Sequence, residues 1–185
     1  MGDITLLLQQ ARSGDDAAWQ RVVALLYDDL LRLARGASAS CRQGTLNATA
    51  LVHECYLRLS RKGADAVGSR AHFLALAGRA MRQILVNHAR DRCAGKRGGG
   101  AAHTTLDHLD LATNQEAGDL LGLDAAMHQL AREDERLAQV VDCRVFAGLT
   151  EAETAEALDL SLRTTQRLWL QARERLQAYF TPAET

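Results

Sequence analysis

The stretch GLTEAETAEALDLSLRTTQRLWLQARERL, residues 148–176, decides how the rest of the chain is read. Thr150 precedes a short run in which Glu153 follows three residues later. In that spacing a hydroxyl and a carboxylate satisfy the free amides of a helix start. Ala152, Ala155 and Leu158 recur at three-residue steps and predict the inward face of that helix. Asp159 and Leu160 leave room only for a tight turn, and aspartate tolerates left-handed backbone better than most residues. Ser161 reads as the cap of a second helix. Leu162, Leu168 and Leu176 are its apolar positions, and Arg163, Thr164, Gln166, Arg167 and Arg173 its polar ones. Two short helices, a tight turn and a basic second helix predict a helix-turn-helix, in which the start of the second helix enters the major groove. Arg163 suits guanine edges and Gln166 adenine edges. The candidate DNA contacts are Ser161, Arg163, Thr164, Thr165, Gln166 and Arg167. An αα-hairpin that merely packs is the competing reading of the same residues.

Composition agrees with a helical chain. Apolar residues reach 47% but aromatics only 4%, so Leu, Ala and Val must fill the core, and Pro182 is the single proline. Few helix breakers and a leucine- and alanine-rich core predict an all-α fold. The 185 residues suit one ordinary domain or two small ones. No run of about 20 apolar residues exists, so no membrane span is expected. The N-terminus lacks the basic start and apolar run of a secretory signal. Its MGxxx start resembles a myristoylation site, but Leu6 stands where Ser or Thr is required. Cys41, Cys55, Cys93 and Cys143 show no CxxC spacing and predict ordinary thiols in a reducing, cytoplasmic setting.

Charge is segregated beneath a net of −1. Residues 58–97 hold ten Arg or Lys against two Asp, and residues 107–159 hold thirteen Asp or Glu against three Arg. Residues 161–175 turn positive again, with four Arg against Glu174. The two basic blocks suit a phosphate backbone, and solvated helix faces are the plainer reading of each.

Upstream, Trp19, Val22, Val23, Leu26, Leu30 and Leu33 recur at three- and four-residue steps. They predict one helix over 17–33, capped by Asp15 or Asp16 and preceded by a short helix over 5–10. Residues 36–44 read as a break. Ala48, Leu51, Val52, Cys55 and Leu59 form the stripe of a helix over 47–60 with Asn47 as cap, and Glu54 and Arg58 are an i,i+4 pair in the favourable order. Residues 61–70 read as a loop. Ser69 caps a long helix whose apolar face is Leu74, Ala77, Met81, Ile84, Leu85 and His88. Its second stripe, Arg79, Arg82, Gln83 and Arg90, could lie along nucleic acid. Between Gly98 and Asp119 periodicity is lost, which predicts a linker. Helices resume beyond it, with core contacts from Leu137, Val140, Val141, Val145 and Phe146.

Other chemistry is excluded by pattern. His53–Glu54 lacks the second histidine one turn on that a zinc protease helix needs. His103 and His108 suit solvent better than metal. The glycines at 98–100 carry no following GKS or GKT, so no nucleotide cradle is predicted, and no nucleophile has a base beside it. No cofactor, no metal site and no catalytic residue is expected.

The order of these parts resembles the two-domain sigma factors of bacterial RNA polymerase, in the extracytoplasmic-function (ECF) group. The resemblance is carried by LVHECYLRL (51–59), SRAHFLALAGRAMRQILVNHARDRCAGKRGGG (69–100) and CRVFAGLTEAETAEALDLSLRTTQRLWLQARERL (143–176). The middle stretch is similar to a subgroup often found near Ser/Thr protein kinases. The resemblance implies two small all-α domains, 1–97 and 119–185, joined by a flexible linker over 98–118. It implies a factor that directs core RNA polymerase to promoter DNA and leaves catalysis to the polymerase. Leu51, His53, Glu54 and Arg58 would dock on the polymerase clamp. Residues 61–70, with Arg79, Arg82, Gln83 and Arg90, would hold the opened minus-ten element, and the helix from Ser161 would read the minus-thirty-five element.

The chain departs from that family at Asp159, where glycine is frequent, and at Asn87, where the subgroup usually has an acid. It departs most at Asn47-Ala48-Thr49-Ala50, where most of the group has an acidic run. Either Glu54 and shape suffice for docking there, or a phosphate on Thr49, in the first helical turn, restores the charge and implies a kinase partner. Thr45 is a competing acceptor before the cap. Two other classes stay open on the residues alone: a helix-turn-helix regulator that does not bind polymerase, and an adaptor joining protein partners. Limited proteolysis is expected to cut first between Gly98 and Asp119, and a resistant unit through that region would overturn the two-domain division.

Overall fold

The computed structural model describes residues 2–39, 47–61, 67–98 and 107–181. Among these the chain is helical, without a strand. The elements are α1 (Gly2–Arg12), α2 (Asp16–Leu25), α3 (Tyr27–Ala39), α4 (Ala48–Arg61), α5 (Arg70–Gly98), α6 (Asp107–Glu133), α7 (Glu135–Val141), a π turn (Asp142–Phe146), α8 (Glu151–Leu158) and α9 (Leu162–Phe180).

The helix starts form where short polar side chains stand. Asp15 Oδ1 accepts from the Ala17 and Ala18 amides at 2.9 and 3.1 Å. Asn47 Oδ1 accepts from Ala50 at 2.8 Å, and Ser69 Oγ from His72 at 3.2 Å. Thr150 and Glu153 close a reciprocal capping box. Each contact satisfies an amide that the first helical turn leaves without a partner.

Three elements differ from the sequence reading. The helix expected over 17–33 is two helices meeting at Leu26. Its amide still bonds Val22 O and its carbonyl still receives the Leu30 amide, so the apolar stripe crosses the junction unbroken. Gly36 lies inside α3 rather than in a break, and 40–44 lie outside the described residues. α6 begins at Asp107, inside the stretch read as a linker. No glycine or proline lies between Asp107 and Ala117, so a helix can propagate there without an amphipathic stripe to announce it. In the loop expected over 61–70, residues 62–66 lie outside the described residues, and Arg61 still belongs to α4.

Two apolar clusters hold the helices. One is built on Leu8, Val22, Leu26, Leu30, Leu51, Phe73, Leu74 and Met81, and it takes in Cys143, Ala147, Leu149 and Ala157 from the C-terminal part. The other joins Met127, Leu130, Leu137, Val140, Val141, Leu168 and Ala172. The helix-turn-helix half thus has its own core and also packs on the first half. Gly78 sets that approach. A Cβ there would lie 2.7 Å from the Ala147 amide nitrogen and 2.9 Å from its Cβ. Glycine within a helix costs roughly 0.5–1 kcal/mol relative to alanine; here its bareness lets the C-terminal half close onto α5. Arg70 adds a polar tie, donating to Asp29 of α3 at 2.5 Å and to Glu153 of α8 at 3.4 Å.

Val145, expected in the core, is 56% exposed, whereas Phe146 packs on the second cluster. The π turn explains this, because its wider winding shifts the phase of the side chains. Ala152 is exposed, and Thr154 and Ala157 are buried with Ala155 instead. Cys55 and Cys143 are buried, and burial pushes each thiol up to about 12; Cys41 lies outside the described residues.

The capping box yields a stability prediction. The Thr150 amide, donating to the Glu153 carboxylate, holds that carboxyl below its ordinary value. Its contribution is therefore present above the unfolded carboxyl's pKa of about 4.3 and is lost as pH falls through the folded value. Thr150→Ala should lower stability by about 1 kcal/mol at pH 7. In urea melts Glu153→Gln should lose less relative to wild type as pH falls from 6 toward 3.

Candidate nucleic-acid interface

The candidate recognition helix, α9, begins at a closed turn. Asp159 ends α8 in the left-handed region, at φ 52° and ψ 48°, and the Leu160 amide returns to Ala155 O at 2.9 Å. Ser161 Oγ then accepts from the Thr164 amide at 3.2 Å and lies 2.8 Å from the Thr164 hydroxyl. This leaves Arg163, Gln166 and Arg167 exposed along the first turns of α9. Gln166 donates to Glu151 of α8 at 2.8 Å, which aims its amide beside the turn. Thr165 does not join this face. Its side chain is fully buried and its hydroxyl donates to Ser161 O at 3.2 Å, so it packs α9 onto its neighbours. Farther along, the Arg144 and Arg173 guanidiniums lie 5.5 and 5.8 Å from the Trp169 ring centre. Both distances suit cation–π attraction.

The second candidate face, on α5, is covered. Arg82 is only 7% exposed. Its Nε donates to Asp142 Oδ1 at 2.7 Å and its Nη2 to Asp142 Oδ2 at 3.3 Å. Its Nη1 donates to Asp124 Oδ1 at 2.9 Å. Arg90 Nη2 donates to the other Asp124 oxygen at 2.6 Å, and His128 Nδ1 lies 2.8 Å from the Asp124 carbonyl. Burial pushes the Asp142 carboxyl up, against the pull of the Arg82 hydrogen bonds. Arg79 and Gln83 line a cavity of about 450 Å³ with Arg58 and Arg90 on one side and α6 and α7 on the other. The four stripe residues are thus brought together, but against the acidic part of the chain. Neither Asp124 nor Asp142 was singled out from sequence, although the alternation of basic and acidic blocks was the signal that such a pairing leaves.

The α4 candidates divide. Leu51 is fully buried and holds α4 in the core, so it positions the helix without being available to a partner. His53 is exposed. Glu54 lies 3.3 Å from His88 Nε2, and Arg58 faces the cavity. Thr49, exposed in the first turn, lies on the rim of an apolar groove with Val23, Tyr27, Val52, His53 and Tyr56. Among the described residues no group of His, Cys, Asp and Glu could hold a metal, and no helix is long and apolar enough to cross a membrane.

A helix-turn-helix with an exposed basic reading end, joined to a second basic helical unit, defines a DNA-binding transcription factor. The chain belongs to the ECF sigma factor family, whose model matches residues 1–181. Members of this family bind core RNA polymerase and promoter DNA to start transcription and are not enzymes. The solved structure of CnrH in complex with the cytosolic domain of CnrY is similar at 18% identity, over 99% of each chain, with a TM-score of 0.43. No curated protein matches the sequence.

Proposed function

We propose that promoter addressing is divided between two parts of the chain, 1–97 for polymerase docking and the minus-ten element and 119–185 for the minus-thirty-five element. The observation that carries this reading is the Ser161-capped start of α9, where Arg163, Gln166 and Arg167 project together beyond a closed turn. Arg163 is the candidate for a guanine edge and Gln166 for an adenine edge, with Thr164 and Ser161 beside the phosphates. Arg79, Gln83, Arg82 and Arg90 would follow the separated strand of the minus-ten element, and His53, Glu54 and Arg58 would meet polymerase. The work is cytoplasmic, where the polymerase is. Arg163→Ala should cost about 1–3 kcal/mol of discrimination between the matched and a mutated upstream element. The check is in vitro transcription with core polymerase. Unchanged selectivity in single alanine variants of Arg163, Gln166 and Arg167 would move the reading surface elsewhere.

The uncharged start of α4 supports a finer proposal, that a Ser/Thr kinase activates the chain at Thr49. Thr49 is exposed and follows the Asn47 cap, so a phosphate there would add about −1.5 to −2 charge at a helix N-terminus. That charge would stand where most of the family carries acids, beside the apolar groove on α2–α4. Phosphorylated protein and Thr49→Glu should bind core polymerase more tightly than unmodified wild type in a pull-down. Wild-type binding and transcription by Thr49→Ala in kinase-replete cells would show that Glu54 and shape are enough.

A further inference from the structure

The cavity between α5 and the pair α6–α7 has the size and the lining of a small-molecule site. Its volume of about 450 Å³ falls within the roughly 300–1,000 Å³ of such sites. Four guanidiniums line it, those of Arg58, Arg79, Arg82 and Arg90. Three carboxylates line it as well, but none of them answers Arg58 or Arg79. Asp124 and Asp142 are buried and already taken by Arg82 and Arg90. Glu135 is exposed and accepts from the Gln139 amide at 3.4 Å. Among the described residues Arg58 and Arg79 have neither a hydrogen bond nor an ion pair. Two guanidiniums on different helices, α4 and α5, therefore line the cavity with their donors unused. The planar fork of a guanidinium matches the paired oxygens of a phosphate.

The rest of the lining supplies what a bare anion would not need. Gln83 is half-buried and makes no hydrogen bond among the described residues. Its amide offers both a donor and an acceptor. Asn87, one turn on, brings a second amide, whose oxygen accepts from Arg90 at 3.4 Å. Val86 and Met127 are buried and add apolar surface. Apolar wall with a few polar groups is the lining that orients a ring-bearing ligand.

We propose that this cavity binds a nucleoside phosphate. Its phosphates lie between Arg58 and Arg79, its base lies against Val86 and Met127, and Gln83 and Asn87 hydrogen-bond the edge of the base. No glycine-rich loop is needed, because guanidiniums take the part that backbone amides play in such loops. Ligand binding stands or falls apart from the strand reading, although both use Arg79 and Gln83.

Isothermal titration calorimetry of the full chain tests this with ADP and GDP as probes. Inorganic phosphate and adenosine serve as the two halves of the ligand. Arg58→Ala and Arg79→Ala each remove a cation without breaking a hydrogen bond among the described residues. Ala131 is exposed and lines the cavity, so Ala131→Trp fills it while every charge stays. Far-ultraviolet circular dichroism checks that each variant keeps its helices. Expected is one ADP or GDP per chain, with phosphate and adenosine each at least about tenfold weaker. Each arginine variant should weaken nucleotide binding by about tenfold, the scale of one charge-assisted hydrogen bond. Ala131→Trp should abolish it. If Ala131→Trp loses helicity, the two arginine variants decide. No binding of either nucleotide at millimolar concentration would overturn the proposal. So would phosphate alone binding as tightly as the nucleotides, which marks a bare anion patch. Nucleotide binding that survives the arginine variants unchanged would place the ligand elsewhere and overturn it too.

Discussion

A guanidinium removed from water must meet matching charge, and Arg82 thereby limits where the second half of the chain can sit. Its partners lie on α6 and on the π turn, so its burial is possible only when both pack against α5. Removing one member of such a buried set typically costs about 3–5 kcal/mol, because the other charge is left uncompensated. An apolar contact at this place would resist separation less selectively. A charged one is strong when complete and poor when partial, which favours two arrangements over a continuum. Gly78 adds the steric half of the constraint, since the approach of the Ala147 backbone leaves no space for a Cβ.

The helix-turn-helix answers to different physics. Its geometry is local: a capping box, one left-handed aspartate, and a serine that caps the next helix, all between Thr150 and Thr164. Thr165 and Leu168 anchor α9 inward while Arg163, Gln166 and Arg167 stay outward. Its one polar tie to α5 named above is the Arg70 guanidinium on Glu153. The chain therefore combines a locally determined helix-turn-helix with a basic stripe on α5 whose partners lie far along the chain.

That difference explains what could be read in the sequence. The caps at Asp15, Asn47, Ser69, Thr150 and Ser161 were legible because each needs only its own neighbours, and so was the turn at Asp159. The helix junction at Leu26 was not, because neither the apolar stripe nor the hydrogen bonds across it are interrupted. Val145 was misplaced because the π turn breaks the 3.6-residue phase that put it in the core. Thr165 looked like part of a polar cluster, but only its hydroxyl is polar, and that is absorbed by Ser161 O. The partners of Arg82 lie 42 and 60 residues along the chain. No local pattern points so far, and only the alternating charge blocks hinted at it.

The two tryptophans carry a consequence of their own. Trp19 is buried in the first cluster, edge-on to Phe73 with ring centres 5.7 Å apart. Trp169 lies half-buried beside the second cluster with two guanidiniums near its ring. One indole is enclosed by hydrocarbon and the other is bathed in positive charge, so their emission colours and their access to iodide should differ. The chain thus contains a native optical label in each cluster. Spectroscopy can follow the two clusters of a single unmodified molecule as separate signals.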